Sequence, residues 1–112
     1  MVETEIFEDG AGRIISFRVN GHAGYASSGE DIVCAAVSAL AQTAVLGLTN
    51  YLAVKPLVVL KDGLLTCTLP PMLTVVEGEQ AEVILRTMYL GLTEIERNYQ
   101  QYVQVKKRRW LK

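Results

Sequence analysis

Residues 32–49 form the segment that most limits how this chain can fold. They contain no charged residue, and alanine, valine and leucine fill most positions. This composition favours a helix of about five turns. Because the apolar residues occur nearly all the way round, the helix has to be buried on more than one side. We expect a sheet to cover one side and a second copy of the chain to cover another.

The segments around this helix predict an α+β fold. Apolar and polar residues alternate in four short segments, and residues 57–60 are an apolar run that a Lys-Asp-Gly turn connects to the next segment. These patterns predict strands over 2–7, 13–20, 57–60, 64–69 and 102–107. Apolar residues at three- and four-residue spacing predict a second helix over 77–99. The order β-β-α-β-β-α-β predicts two layers, a mostly antiparallel five-stranded sheet with two helices. A chain of 112 residues, half of them hydrophobic, is expected to form a single domain over 1–112.

The residues best suited to chemistry lie between 21 and 38. This stretch contains the single histidine, His22, and one of the two cysteines, Cys34. Asp31 is predicted to cap the first helix, which places Cys34 in its first turn. Unpaired N–H groups and the positive end of the helix dipole favour a thiolate there. The arrangement indicates nucleophilic catalysis, in which the thiolate attacks a carbonyl, the imidazole transfers the proton, and first-turn N–H groups hold the oxyanion.

Each of these residues also has a simpler interpretation. A cysteine near a helix start is more often a small buried hydrophobe, and a lone histidine is often a surface residue. Gly21 and Gly24, on either side of His22, favour the functional interpretation because glycine permits unusual backbone conformations. Asp31 is first a helix cap and second a group that orients the imidazole. Ser38, one helical turn after the thiol, either bonds near the site or back-bonds to the helix, and both alternatives stay open.

The segment between the two candidate catalytic residues is rich in small side chains. We expect it to be a mobile loop that closes over a bound peptide. The substrate loop consists of Gly24, Tyr25, Ala26, Ser27, Ser28, Gly29 and Glu30.

Other classes of site have less support in the sequence. Cys67 alternates with Leu65 and Leu69, which predicts a core residue, and two cysteines in unrelated segments form neither a disulfide framework nor a zinc pattern. We therefore expect no metal and no cofactor. An acidic start, and no apolar run near the roughly 20 residues that cross a bilayer, indicate a cytoplasmic protein without a membrane partner.

The C-terminal end suggests a different function. A net charge of −1 gives no general attraction to nucleic acid, yet residues 106–112 contain five basic side chains beside Trp110. The competing hypothesis is therefore a non-catalytic ribosome- or RNA-associated binding module that uses the basic tail Lys106 to Lys112.

Two short motifs resemble those of a known family. Gly-His-Ala-Gly-Tyr-Ala at 21–26 and Gly-Glu-Asp-Ile-Val-Cys-Ala-Ala-Val-Ser at 29–38 resemble the ribosomal-processing cysteine protease Prp (YsxB-like) family, and the likeness extends over essentially the whole chain. The resemblance implies a homodimeric α/β protein with His22 and Cys34 as its dyad, and with Asp31 and Ser38 beside them. It also implies a substrate, the N-terminal extension of the bacterial large-subunit ribosomal protein L-twenty-seven, whose removal supports ribosome maturation. The basic tail is longer than the family plan requires.

Overall fold

Seven elements follow one another in the order that the sequence patterns predict. The computed structural model describes residues 1–21 and 28–110, and for residues 28–31 it describes the backbone alone. The elements are β1 (Val2–Glu8), β2 (Ile14–Asn20), α1 (Ser28–Tyr51), β3 (Leu57–Lys61), β4 (Leu64–Thr68), α2 (Val75–Asn98) and β5 (Val103–Arg109). The predicted α+β class, with five strands and two helices, is confirmed.

The five strands form one mixed sheet in the order β3-β4-β2-β1-β5. Three neighbouring pairs are antiparallel, and only β1 and β5 run parallel. Phe17 in β2 lies opposite Ile6 in β1 and Cys67 in β4, and all three side chains are buried. Residues directly opposite each other share a face of a sheet, so these three define the face that carries the core.

Both helices pack on that face. Their buried positions recur every three or four residues, at Val33, Val37, Ala41, Ala44 and Leu48 in α1 and at Ala81, Leu85, Met88 and Leu92 in α2. The helices also contact each other closely: a Cβ atom at Gly91 would lie 3.0 Å from Cδ1 of Leu40. Small residues at such positions let two helix backbones approach, which completes the predicted two-layer arrangement.

The first helix begins earlier than its sequence suggests. Because α1 starts at Ser28, the prediction that Asp31 is the N-cap is wrong, and Asp31 is the fourth helical residue. Acidic residues are favourable throughout a first helical turn, so Glu30 and Asp31 suit this register as well. The prediction of a loop through Ser28, Gly29 and Glu30 is also wrong. Gly29 costs about 1 kcal/mol relative to alanine inside a helix, which is why the sequence pattern indicated a loop.

Residues 32–51 of α1 contradict the expectation that no apolar segment approaches the length needed to cross a bilayer. By length and composition alone, Ile32–Tyr51 is apolar enough to cross a membrane, with a mean hydropathy of 1.9. The helix contains no uninterrupted apolar run of that length, but uncharged polar residues such as Gln42 and Thr43 lower its mean hydropathy only slightly. One such helix is weak evidence for a membrane span, because core helices of other proteins meet the same criteria.

The second helix is fixed at its start by a capping box. The Thr74 hydroxyl accepts a hydrogen bond from the Glu77 N–H at 3.1 Å, and the Glu77 carboxylate accepts from the Thr74 N–H at 3.0 Å. Glu77 also accepts from the Ala53 N–H at 2.8 Å, and these backbone bonds, first Ala53 and then Thr74, lower the pKa of its carboxyl. Thr-Val-Val-Glu at 74–77 is the sequence signature of this motif. The prediction that the helix starts at Glu77 is wrong by two residues, because it overlooked this capping motif.

Arg86 ties α2 to the β1–β2 hairpin. Its guanidinium donates to Glu82 at 2.8 Å, to Glu8 at 2.9 Å and to the carbonyl of Gly12 at 2.8 Å. Partial burial opposes the charged form, but the hydrogen bonds to the two carboxylates outweigh it and raise the pKa of Arg86. The other Glu82 oxygen accepts from the Ile14 N–H at 2.9 Å. These contacts hold α2 over the end of the sheet that carries the β1–β2 turn.

Candidate active site

A pocket of about 140 Å³ lies between α1, the end of β2 and the β3–β4 hairpin. Three of the residues that the sequence singled out line it: Gly21, Cys34 and Ser38. Gly21 follows β2, whereas Cys34 and Ser38 lie one turn apart on one face of α1. The fold therefore brings together two segments whose proximity the sequence could only suggest.

Cys34 is half-buried and packs against the edge of the core. It is the seventh residue of α1, so the prediction that it lies in the first turn is wrong. The effect of the helix dipole falls off within the first turn, and only the first four N–H groups lack helical partners. The backbone of the first turn therefore supplies neither the thiolate stabilisation nor the oxyanion donors at Cys34 that the sequence predicted.

Cys67 provides a contrast within the same molecule. Its side chain is only 1% exposed in the core, and burial raises the pKa of its thiol from 9.0 to about 12. A thiol in this environment stays protonated at neutral pH and is inert as a nucleophile. The prediction that Cys67 is a core residue is confirmed, which leaves Cys34 as the cysteine at a pocket.

Gly21 shows a physical need for glycine. Its φ is +121°, and a Cβ atom there would lie 2.6 Å from the carbonyl oxygen of Met1. Its N–H donates to the carbonyl of Gly63 in the β3–β4 turn at 2.9 Å. The unusual backbone conformation predicted for this position is confirmed. It anchors the chain at the pocket immediately before His22.

Several predicted residues lie outside the described part of the chain. His22 and the loop residues Gly24 to Ser27 are not described, and Asp31 is described by its backbone alone. The catalytic pairing of His22 with Cys34, and the supporting roles of Asp31 and Ser38, stay predictions.

The pocket also contains residues that the sequence analysis missed. Gln42 lies two turns after Cys34 on the same face of α1, so the spacing 34-38-42 was a signal that could have identified it. Leu60, Lys61 and Gly63 come from the β3–β4 hairpin. Nothing in the local sequence of a hairpin shows which helix it faces, because that contact depends on strand order.

The basic end of the chain is part of the sheet. β5 continues to Arg109, two residues beyond the predicted strand, and Trp110 packs edge-on against Phe7 with ring centroids 5.4 Å apart. The Lys107 ammonium lies 3.9 Å from a Glu8 oxygen, and Arg108 forms an ion pair with Glu5. Lys106 and Lys107 therefore lie in the strand, as predicted, and the expectation that the basic residues beyond Lys107 follow the strand as a tail is wrong for Arg108 and Arg109.

The described residues do not contain a set of side chains arranged as metal ligands. Over residues 1–21 and 28–110, no group of three or more histidine, cysteine, aspartate or glutamate side chains is arranged to hold a metal ion.

Comparison with known proteins identifies the family. The sequence profile described as "Cysteine protease Prp" matches residues 1–104. The chain belongs to the cysteine protease Prp family. A curated relative, the ribosomal processing cysteine protease Prp of Bacillus subtilis (strain 168), is 31% identical over 94 residues, which cover 82% of this chain and 84% of that protein. The resemblance to Prp and the assignment as a cysteine protease of a ribosomal-processing family are confirmed.

Solved structures show the same fold. The essential ribosomal processing protease Prp from Staphylococcus aureus, in complex with a substrate peptide, matches with a TM-score of 0.84 at 24% identity over 96% of this chain and 100% of that one. A Streptococcus mutans protein, SMU.848, matches with a TM-score of 0.81 at 27% identity over 98% of this chain and 96% of that one. Another structure of the S. aureus protease, with a covalently linked product peptide, has a TM-score of 0.80 at 24% identity over 96% of this chain and 100% of that one.

Proposed function

We propose that this Prp family member is an endopeptidase in which Cys34 is the nucleophile and His22 the general acid–base. It removes the N-terminal extension of ribosomal protein L-twenty-seven. The observation that carries the proposal is that Cys34 and Gly21, the residue directly before His22, line one pocket. The other cysteine is buried and has a raised pKa, so it is unsuited to the reaction.

The chemistry proceeds in two steps. The Cys34 thiol transfers its proton to the His22 imidazole, and the sulfur attacks the carbonyl carbon of the scissile peptide bond. The C–N bond breaks, the imidazolium protonates the leaving amine, and a thioester joins the N-terminal fragment to the enzyme. Water, deprotonated by His22, then hydrolyses the thioester and restores the thiol.

The choice of substrate rests on the family and on the form of the pocket. The S. aureus relative was solved with a substrate peptide and with a covalently linked product peptide, which fits acyl transfer to a nucleophile. Among the described residues, the pocket lies between α1 and the β3–β4 hairpin, which suits an extended segment of another protein that approaches Cys34 along a strand. A protein N-terminus that precedes a folded domain is such a segment.

A cleavage assay with matched thiol variants tests the proposal. Purified protein is incubated with a synthetic peptide that spans the extension junction of L-twenty-seven, and products are identified by mass spectrometry. We expect Cys34→Ala and His22→Ala each to abolish cleavage, whereas Cys67→Ala retains it. Circular dichroism verifies that all three variants are folded. Undiminished cleavage by folded Cys34→Ala would refute the assignment of the nucleophile.

Asp31 and Ser38 are proposed to position the dyad, with Ser38 supported by its place in the same pocket. Ser38→Ala and Asp31→Asn should lower kcat more than they raise KM. For Asp31→Asn, a shift in the pH profile of kcat would distinguish orientation of the imidazole from a purely structural role.

We also propose that the enzyme is a cytoplasmic homodimer. Val76, Val83 and Leu90 are exposed at seven-residue intervals along α2, and Leu46 of α1 is exposed as well. Such an apolar stripe on a helix surface is typical of a face that packs against another helix. Light scattering should give twice the chain mass, and Val83→Glu should lower it to that of a monomer.

The rival function, binding to RNA or the ribosome through the basic end, has less support. Lys107 and Arg108 already form ion pairs with Glu8 and Glu5, which reduces the charge that they offer to a phosphate backbone.

A further inference from the structure

The free edge of β3 presents unpaired backbone groups. In the β3–β4 hairpin, Lys61 pairs with Leu64 across a two-residue turn. With only two residues between them, this pair must exchange both of its backbone hydrogen bonds, and bonded and non-bonded pairs then alternate along the ladder. Val59 therefore also bonds to β4, whereas the N–H and C=O groups of Val58 and Leu60 point away from it. Within residues 1–21 and 28–110, no other strand lies beside β3.

The side chains of this edge are apolar and exposed. Leu57 is 70% exposed, Leu60 is 66% exposed and Val58 is 37% exposed. Natural sheet edges are usually protected by charged side chains, proline or a covering segment. Between Pro56 and Lys61, β3 contains only leucine and valine. The stretch between these two residues has neither charge nor proline, and it is therefore suited to pairing with another strand.

The same edge is continuous with the candidate active site. Leu60 lies opposite Leu65, which is buried under the helices, so the Leu60 side chain projects from the helix-covered face. There it lines the pocket that contains Cys34. A strand added beside β3 would therefore run past the nucleophile, with alternate side chains directed toward the pocket.

We propose that β3 is the docking strand for the substrate, which adds its backbone to the sheet at Val58 and Leu60. This inference rests on the proposed peptidase function. Strand addition suits an extended peptide because main-chain hydrogen bonds give affinity without a required sequence, while alternate side chains enter pockets and give specificity. It also holds the scissile bond at a fixed distance from the thiol, since successive residues of a strand are spaced by about 3.3 Å.

Amide hydrogen exchange measured by NMR directly tests whether the substrate docks on β3. The catalytically inactive, full-length Cys34→Ala variant is labelled with ¹⁵N and studied with and without the L-twenty-seven junction peptide. The Val58 and Leu60 amides should exchange fast in the free protein and slow at least about tenfold on peptide binding, as new hydrogen bonds protect them. The Val59 and Lys61 amides, already bonded to β4, serve as internal controls and should change little.

A substitution with a matched control gives an independent measurement. In the otherwise unmodified enzyme, Val58→Pro removes the free N–H without breaking a bond to β4, and Val58→Ala shortens the side chain but keeps the N–H. We expect Val58→Pro to raise KM about tenfold, the equivalent of a lost hydrogen bond in a binding equilibrium, and Val58→Ala to raise KM by clearly less because the N–H is kept.

The outcomes separate docking from catalysis. Cleavage by the unmodified enzyme, without protection of Val58 and Leu60, overturns the docking proposal and leaves the peptidase assignment intact. Protection of these amides, together with a failure of the unmodified enzyme to cleave the peptide, supports docking and contradicts the peptidase assignment. Failure of the peptide to bind overturns docking. Concentration-dependent protection before peptide is added identifies a second copy of the chain as the occupant, and it also overturns the proposal.

Discussion

The two edges of the sheet differ in almost every property that governs strand pairing. β5 ends in Lys106, Lys107, Arg108 and Arg109, and two of these side chains pair with Glu5 and Glu8 on the neighbouring strand. β3 has exposed leucine and valine along its length and lies beside the pocket of Cys34. Among the described strands, each of these two has a neighbour on one side only. Four positive charges along β5 discourage another strand from adding to it, whereas β3 has a single one, Lys61, at its end.

The difference shows that a charge cluster and a functional surface need not coincide. The basic residues at 106–109 are the densest group of like charges in the sequence, yet their positions in the fold are those of a protected edge. The apolar β3 segment is unremarkable as a sequence, and its importance appears only once the strand order places it beside α1.

Removal of the β5 edge is expected to have the largest effect. Truncation before Val103 deletes the parallel partner of β1 and a buried core residue, so Val2 and Ile6 lose their neighbours in the sheet. We predict that the shortened chain no longer unfolds cooperatively, as followed by circular dichroism during heating. Truncation after Arg109 is the matched control and should still fold. A cooperative transition close to that of the intact chain, after loss of β5, would mean that this edge is dispensable.

A substitution at Gly21 should have the next largest effect. Gly21→Ala places a Cβ atom against the carbonyl of Met1 and forces an alanine to adopt a positive φ. Strain of this kind costs about 1–3 kcal/mol. Urea denaturation should therefore show a loss of that size, together with a large loss of peptide cleavage. The control is Gly10→Ala, where an added Cβ meets nothing within 4 Å. Equal behaviour of the two variants would argue against Gly21 as the anchor of the pocket.

Charging the open edge should affect activity more than stability. Leu60→Lys puts a cation at the rim of the Cys34 pocket, and we expect kcat/KM for the junction peptide to fall about tenfold while the free energy of unfolding changes by about 0.5 kcal/mol or less. Leu57→Lys lies at the far end of β3 with its side chain on the opposite face, so its effect on kcat/KM should be smaller. If both variants cleave the peptide as fast as the unmodified protein, the substrate does not dock on β3.

The smallest effect is expected for an ion pair on the protected edge. Arg108→Ala removes the pair with Glu5, and because Arg108 is half-exposed the free energy of unfolding should fall by about 1 kcal/mol or less. Urea titrations at low and high salt are the measurement, since screening should shrink the difference between the two proteins. A difference that is large and insensitive to salt would indicate a role in packing instead.

The sequence predicted the elements well because its periodicity is strong. All seven segments and the core position of Cys67 followed from alternation, helical spacing and, for the strand over 57–60, the Lys-Asp-Gly turn after an apolar run. The start of α1 did not, because Ser28 and Gly29 are poor helix formers, although the helix includes both. The start of α2 could have been predicted from Thr74 and Glu77.

Only part of the candidate site could be predicted from the sequence. The motif residues stood out by their chemistry, but the contribution of Leu60 and Gly63 depends on which strand lies beside which. Strand order is set by long-range packing, which a local pattern does not encode. The same limit applies to residues 108 and 109, which join β1 in register although the alternating sequence pattern ends at Lys107.

The central claim is that Cys34, and not Cys67, is the reactive thiol of the folded enzyme. Its most direct test is the rate of alkylation by iodoacetamide at pH 7, with each cysteine followed by peptide mass spectrometry. We predict that Cys34 reacts faster than free cysteine and that His22→Ala slows it, while Cys67 stays unlabelled until the protein unfolds. If Cys34 in the folded protein reacts no faster than free cysteine, the assignment of the nucleophile is wrong.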